Sequence, residues 1–174
     1  KEGGSGGSAA TRKADSKPEE PRVDDNLEPF RALFKKECVA AVHAVRSDEI
    51  LNALHVFKDE FALEGFIVQG DEAWRVADEI QKRGWGVAVG PTMVTRDEGE
   101  LRNNARTLAR AGVTVAFQTD SAASTRFLPV NAAYAVRYGL AASDALRGLT
   151  SSAAKCLKLE DRIGSLQPGR DADL

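Results

Sequence analysis

Three side chains in this 174-residue sequence stand where chemistry is plausible: His43, Gln69 and Asp120. His43 closes the apolar run Cys38-Val39-Ala40-Ala41-Val42, and Gln69 closes Phe66-Ile67-Val68. Asp120 stands just beyond Val113-Thr114-Val115-Ala116-Phe117. Neutral imidazole and carboxylate both suit a divalent transition metal, and a carboxylate can also take a proton from an attacking water. The amide of Gln69 is a poorer ligand for such ions, but its NH2 can donate to a carbonyl or a developing oxyanion. Each residue also has a plainer reading. A histidine ending a strand is commonly a hydrogen-bonded structural residue, and Asp120-Ser121 fits a turn or a helix cap. A Ser121 or Ser124 triad with His43 and Asp120 can be drawn on paper, but no Gly-x-Ser-x-Gly elbow positions a nucleophile. Spacing by itself leaves the ligand and structural readings open.

The elements that must position these residues alternate regularly. A short amphipathic helix is expected around Leu27–Lys36, before a strand over Cys38–His43. Ser47 then fits a helix cap, with Asp48 and Glu49 in the first turn and Ile50, Leu51, Leu54, Phe57 and Phe61 on one face. A strand at Phe66–Gln69 precedes a helix capped by Asp71 and ended by Gly84. The third strand is Gly86–Val89, and its helix is expected over Glu100–Ala111 with Leu101, Ala105 and Leu108 inward. The fourth is Val113–Phe117, followed by a helix near Pro129–Tyr138. Short apolar strands, each followed by a helix, indicate a parallel sheet covered by helices. Part of a (β/α)8 barrel and a doubly wound open sheet both fit, and both place chemistry at the C-terminal strand ends. His55 lies off the apolar face of its helix, while Trp74, Trp85, Cys38 and Cys156 read as packing residues.

Composition narrows the function classes. A net charge of -2, with 43% apolar and 29% charged residues, provides no field to recruit nucleic acid or an anionic membrane. No apolar run approaches the roughly 18 residues of a membrane-spanning helix. There is no GxGxxG or Walker phosphate loop. No secretory signal is visible, so the cytoplasm is the expected compartment. Residues 1–25 open with Gly3-Gly4-Ser5-Gly6-Gly7-Ser8 and stay charged and poor in large apolar groups, so they read as a flexible linker or disordered insertion.

The last third adds a resemblance. Val113-Thr114-Val115-Ala116-Phe117-Gln118-Thr119-Asp120-Ser121 resembles the final barrel strand of imidazolonepropionase-like metal-dependent hydrolases of the amidohydrolase superfamily. Gly139-Leu140, then Asp144-Ala145-Leu146-Arg147-Gly148-Leu149-Thr150 and Ala153-Ala154-Lys155, resemble that family's post-barrel helices. Asp161-Arg162-Ile163-Gly164-Ser165-Leu166-Gln167-Pro168-Gly169-Arg170-Asp171-Ala172-Asp173-Leu174 closely resembles the segment that returns to a small β-sandwich, with Leu174 beginning a strand.

The resemblance implies an α/β fold that is the C-terminal half of a (β/α)8 TIM-like barrel. Residues 26–160 would form four βα units plus post-barrel helices, and 161–174 the return segment. It implies His43 as the fifth-strand metal ligand, and Asp120 as a ligand and the acceptor of a proton from water. Gln69 stands where many relatives place a sixth-strand histidine, and is expected to touch substrate. The implied function is hydrolysis of C–N bonds in small amides or cyclic amides with a divalent metal, zinc by ligand type. That metal is expected to be weakly held or lost. The expected partners are a complementary N-terminal half barrel, in the same or another chain, and further copies in a homo-oligomer. A degenerate relative that serves only binding or assembly is the rival expectation.

Overall fold

The computed structural model describes residues 22–171. Helix α1 (Glu28–Phe34) leads into strand β1 (Ala40–Ala44) and helix α2 (Ser47–Ala53), which continues as a π-helical stretch over Leu54–Glu60. Strand β2 (Gly65–Gln69) is followed by a 3-10 turn (Ala73–Val76) and α3 (Ala77–Lys82). After β3 (Gly86–Val89) come two further strands, β4 (Val94–Asp97) and β5 (Glu100–Asn103), and then α4 (Asn104–Arg110). Strand β6 (Thr114–Phe117), a 3-10 segment (Ala122–Phe127), α5 (Leu128–Arg137), α6 (Ala142–Leu149) and α7 (Ser151–Cys156) complete the order.

The main sheet has the order β1-β2-β3-β6, and each neighbouring pair is parallel. The burial of the strands follows from that order. β3 is flanked on both sides and buried at every residue, whereas edge strand β1 keeps an alternation in which Ala41 and His43 are exposed. One face packs Ile67, Val87, Val89 and Val115 against Ile50, Leu54, Ile80 and Leu108 from the helices. Each such side chain contributes about 1.5–3 kcal/mol of burial free energy. The opposite face carries Phe66, Ala88 and Ala116, and α7 lays Cys156 over them. Burial lifts the Cys156 thiol to about pKa 11, so it behaves as a packing group.

Several expectations need correction. The chain does not enter a helix at Glu100: Val94–Asp97 and Glu100–Asn103 pair as an antiparallel hairpin. Its two-residue turn, Glu98-Gly99, has φ of 47° and 88°, the twist that suits tight hairpins. Leu101 is therefore exposed on a strand, while Ala105 and Leu108 are buried on α4 as expected. Ser47 is the first residue of α2 and not its cap; Glu49 instead accepts from the backbone N–H groups of Val45 and Arg46. Phe61 is exposed, because the π-helical stretch before it rotates the apolar stripe expected of an unbroken α-helix, and Leu51, on α2 ahead of that stretch, is exposed as well. Asp71 caps nothing, since the helical turn after it starts at Ala73 with no side-chain cap. Cys38 is exposed because the strand begins two residues later, at Ala40. The Gly/Ser run at the start, most of the linker expected over 1–25, and the strand expected at Leu174 lie outside the described residues.

Candidate active site

All four parallel strands deliver their C-terminal ends to one side of the sheet, and the singled-out residues lie there. His43 pairs in register with Val68, on the face of β1 away from the main helical core. Gln69 pairs with Ala44, so strict alternation would turn its amide toward the helices. The backbone at Gln69 has φ of 76° instead. That left-handed turn breaks the alternation and brings Oε1 to 2.6 Å from Nε2 of His43. Gly70 continues the turn at φ 57°, and a Cβ there would sit 2.9 Å from Cγ1 of Val87. Only glycine fits both demands.

Buried asparagines that residue spacing did not flag hold this turn in place. Asn104, fully buried at the start of α4, donates through Nδ2 to the Gly70 carbonyl at 2.7 Å. Its Oδ1 accepts from the Trp74 backbone N–H at 3.1 Å. Asn103 caps α4 by accepting from Arg106 N–H, and its Nδ2 donates to the Ala135 carbonyl. An Asn-Asn pair between a strand pattern and Ala-Arg-Thr-Leu was a legible N-cap signal; the clamp on Gly70 was not. Glu72 adds a second tie by accepting from both the N–H and the hydroxyl of Ser47, at 3.0 and 3.1 Å.

Asp71 is the other residue missed. It follows the turn, half-buried, with Oδ1 enclosed and without a hydrogen-bond partner. Burial raises its carboxyl above the ordinary range, outweighing the opposing influence of the nearby Gln69 side chain and Thr92, and the charge of Asp120 raises it further. Asp71 is thus within reach of the charge of Asp120 at the mouth of the sheet.

Asp120 lies three residues beyond β6, exposed, with φ of 58°. The ends of β3 and β6 are bound closely before it. Gln118 takes a backbone bond to the Val89 carbonyl, and its amide donates to the Gly90 carbonyl at 2.7 Å. A Cβ at Gly90 would meet the Gln118 carbonyl at 2.3 Å, so that approach requires glycine. His43 and Asp120 belong to opposite edges of the sheet, β1 and β6. Three interstrand spacings of a flat sheet make roughly 14 Å, which curvature would shorten. The structure brings His43 and Gln69 into direct contact, with Asp71 two residues beyond Gln69 and Asp120 across the strand ends.

A cleft of about 330 Å³ opens beside this cluster, lined by Arg46, Asp71, Glu72, Arg75, Arg96 and Asp97 among others. Arg75 pairs with Asp97, and its guanidinium lies 4.3 Å from the Trp74 ring centre, so this wall is braced by the β4–β5 hairpin. A larger apolar cleft of about 590 Å³ lies between α6, α7 and the segment after them. Its walls are mostly leucine and alanine, and they carry neither a histidine nor a carboxylate.

His43 and Asp120 are of types that ligate a divalent metal. Among the described residues, however, no three His, Cys, Asp or Glu side chains form a group that could hold an ion. The Nε2 of His43 is also engaged by Gln69. The described residues do not by themselves make a metal centre.

The model of the amidohydrolase family matches residues 30–174, and the chain belongs to that family. Its fold is similar to that of an amidohydrolase from Thermotoga maritima MSB8, with 36% identity and a TM-score of 0.76. That match covers 89% of this chain and 42% of the other. An adenosine deaminase from Xanthomonas campestris, solved with bound zinc, shares the fold at 24% identity and a TM-score of 0.51, over 85% of this chain and 39% of its own. The chain thus spans about two fifths of the length of these relatives. No curated protein matches. No helix among the described residues is long and apolar enough to cross a membrane.

Proposed function

We propose that the complete protein hydrolyses C–N bonds in small amides or cyclic amides, and that this chain supplies the second half of its (β/α)8 barrel. The observation that carries this reading is the set of polar residues at the C-terminal strand ends of a parallel sheet in an amidohydrolase chain: His43 held by Gln69, Asp71 just after them, and Asp120 at the same end of the sheet beyond β6. In β/α barrels the chemistry is built at that end. Asp120 is exposed at the mouth, and its role is to accept the proton of the attacking water. Gln69 offers an N–H to the substrate carbonyl and orients it. The cleft beside Asp71 takes the rest of a small substrate. A divalent metal of the zinc type belongs to this reading, with His43 and Asp120 as two of its ligands and the others from outside the described residues. With Gln69 engaging Nε2 of His43, that nitrogen would be open to a metal only after the amide turned away, and the ion would be held weakly. A complementary half barrel, in the same or another chain, pairs with the free edges of β1 and β6. A homo-oligomer and a cytoplasmic setting complete the proposal.

A second reading is a relative that kept the fold and lost its chemistry, acting as a binding or assembly subunit. The engagement of His43 by Gln69 favours it. Turnover of an amide panel by the full-length protein and its Asp120→Asn variant separates the two. Asparagine tolerates the left-handed backbone at this position, so the variant tests charge and not folding. Hydrolysis that falls by about 10²-fold or more supports the enzyme. No turnover by the unmodified protein, with or without added zinc, favours the binding subunit.

A further inference from the structure

We propose that the β4–β5 hairpin joins two copies of this protein edge to edge, β5 against β5, about a two-fold axis at Leu101. The hairpin is a two-stranded sheet, and among the described residues no strand pairs with either outer edge. Its ladder fixes which backbone groups those edges present. The two-residue turn makes Asp97 and Glu100 a hydrogen-bonded pair, and Thr95 with Arg102 is the next one. The bond from Asn104 N–H to the Met93 carbonyl, at 3.3 Å, continues the same series. Leu101 and Arg96, which fall between bonded pairs, therefore direct their N–H and C=O groups outward, at the β5 and β4 edges respectively. An outward donor and acceptor are what a further antiparallel strand needs, and a two-stranded ribbon is marginal until it gains one.

Charge decides which edge pairs, and with what. About an axis at Leu101, each Leu101 lies beside its own copy, and each Glu100 lies directly opposite the Arg102 of the other strand. β5 is thus complementary to itself. The same operation on β4, centred on Arg96, sets two arginines against each other and disfavours that edge. Arg102 is held ready for this role, with its guanidinium 5.3 Å from the Trp74 ring centre and its Nε 3.7 Å from Asp97. The Glu100 side chain is 74% exposed and so remains open to a second arginine. Leu101 is exposed on the hairpin face away from Trp74, and the pairing removes apolar surface there from water. β3 lies between β2 and β6, so the hairpin that follows it leaves the outer edges of β1 and β6 to the complementary half. The pairing rests on the homo-oligomer proposed above and not on the hydrolysis, so association and turnover can fail separately.

Sedimentation velocity of the full-length protein, in a concentration series reaching roughly 0.2 mM, tests the pairing. The expected result is a reversible dimer. Glu100→Arg sets arginine opposite arginine, and Arg102→Glu sets glutamate opposite glutamate, so each variant alone should dimerise at least about fivefold more weakly. Mixed in equal amounts, the two variants should form a heterodimer about as tight as the unmodified dimer, because both opposed pairs are then complementary. A merely structural role for either residue gives no such rescue. If Arg102→Glu does not fold, Leu101→Pro takes its place: the N–H it removes points outward, so the hairpin keeps its ladder while the dimer is lost. A monomer at every concentration overturns the proposal. So does a dimer that ignores the charge reversals, or one that mixing does not rescue.

Discussion

Nε2 of His43 lies 2.6 Å from Oε1 of Gln69, although the two residues are 26 positions apart and by strand alternation belong to opposite faces of the sheet. The contact exists because the backbone at Gln69 turns left-handed at the strand end. It occupies one of the two ring nitrogens that could bind a metal.

Replacing Gln69 by histidine should raise zinc affinity of the full-length protein by at least about tenfold, since a strong nitrogen donor takes the place of a competing amide. Competition against a chromogenic chelator measures it. Tight, stoichiometric zinc in the unmodified protein would contradict the weak-binding reading. No gain in Gln69→His would move the site toward the binding-subunit reading.

Asn104→Ala should cost about 1–3 kcal/mol, because it strips a partner from both the Gly70 carbonyl and the Trp74 N–H in a buried place. The loss should appear in chemical denaturation, and the Trp74 amide should exchange with solvent faster. An unchanged midpoint with full protection at Trp74 would show that the clamp is dispensable.

Leu101 and Leu108 discriminate between the hairpin and the longer helix expected from residue order. Leu108 is fully buried and Leu101 is 53% exposed. Leu108→Ala should cost about 2–5 kcal/mol. Leu101→Ala should stay within about 0.5 kcal/mol. Comparable losses in denaturant midpoints would mean that Leu101 also faces the core.

The raised carboxyl of Asp71 gives stability a defined pH dependence. Held above its unfolded value, the group binds its proton more tightly in the folded chain, so its contribution favours folding at low pH. That contribution is fully present below the unfolded carboxyl pKa of about 3.9 and is lost as pH rises through the raised value. Asp71→Asn carries no charge and escapes the loss. Its melting temperature relative to the unmodified protein should therefore climb between pH 4 and pH 7. A difference that shrinks as pH rises would reverse the sign and remove the burial argument.

Particular residues mark how far residue order carries. The parallel βα architecture can be read from four short apolar runs spaced by helical patterns, because burial on both faces demands such runs. His43 and Asp120 can be placed at strand ends for the same reason. The stretch after β3 reads as a longer helix because Leu101, Ala105 and Leu108 keep helical spacing, while Glu98-Gly99 closes a hairpin that local apolar period does not report. Asp71 reads as a helix cap, since an Asp before an apolar run has the composition of one.

The sequence alone determined the sheet, the end of it where chemistry belongs, and the residue types gathered there, because these follow from periodicity and side-chain class. Tertiary structure alone decided which of those residues touch. The Gln69–His43 contact, the Asn104 clamp and the enclosed Asp71 each depend on a left-handed turn being pressed against a neighbouring strand and helix. Hydrogen bonds act over about 3 Å and require direction, so they are set by how distant segments pack and leave no period in the chain.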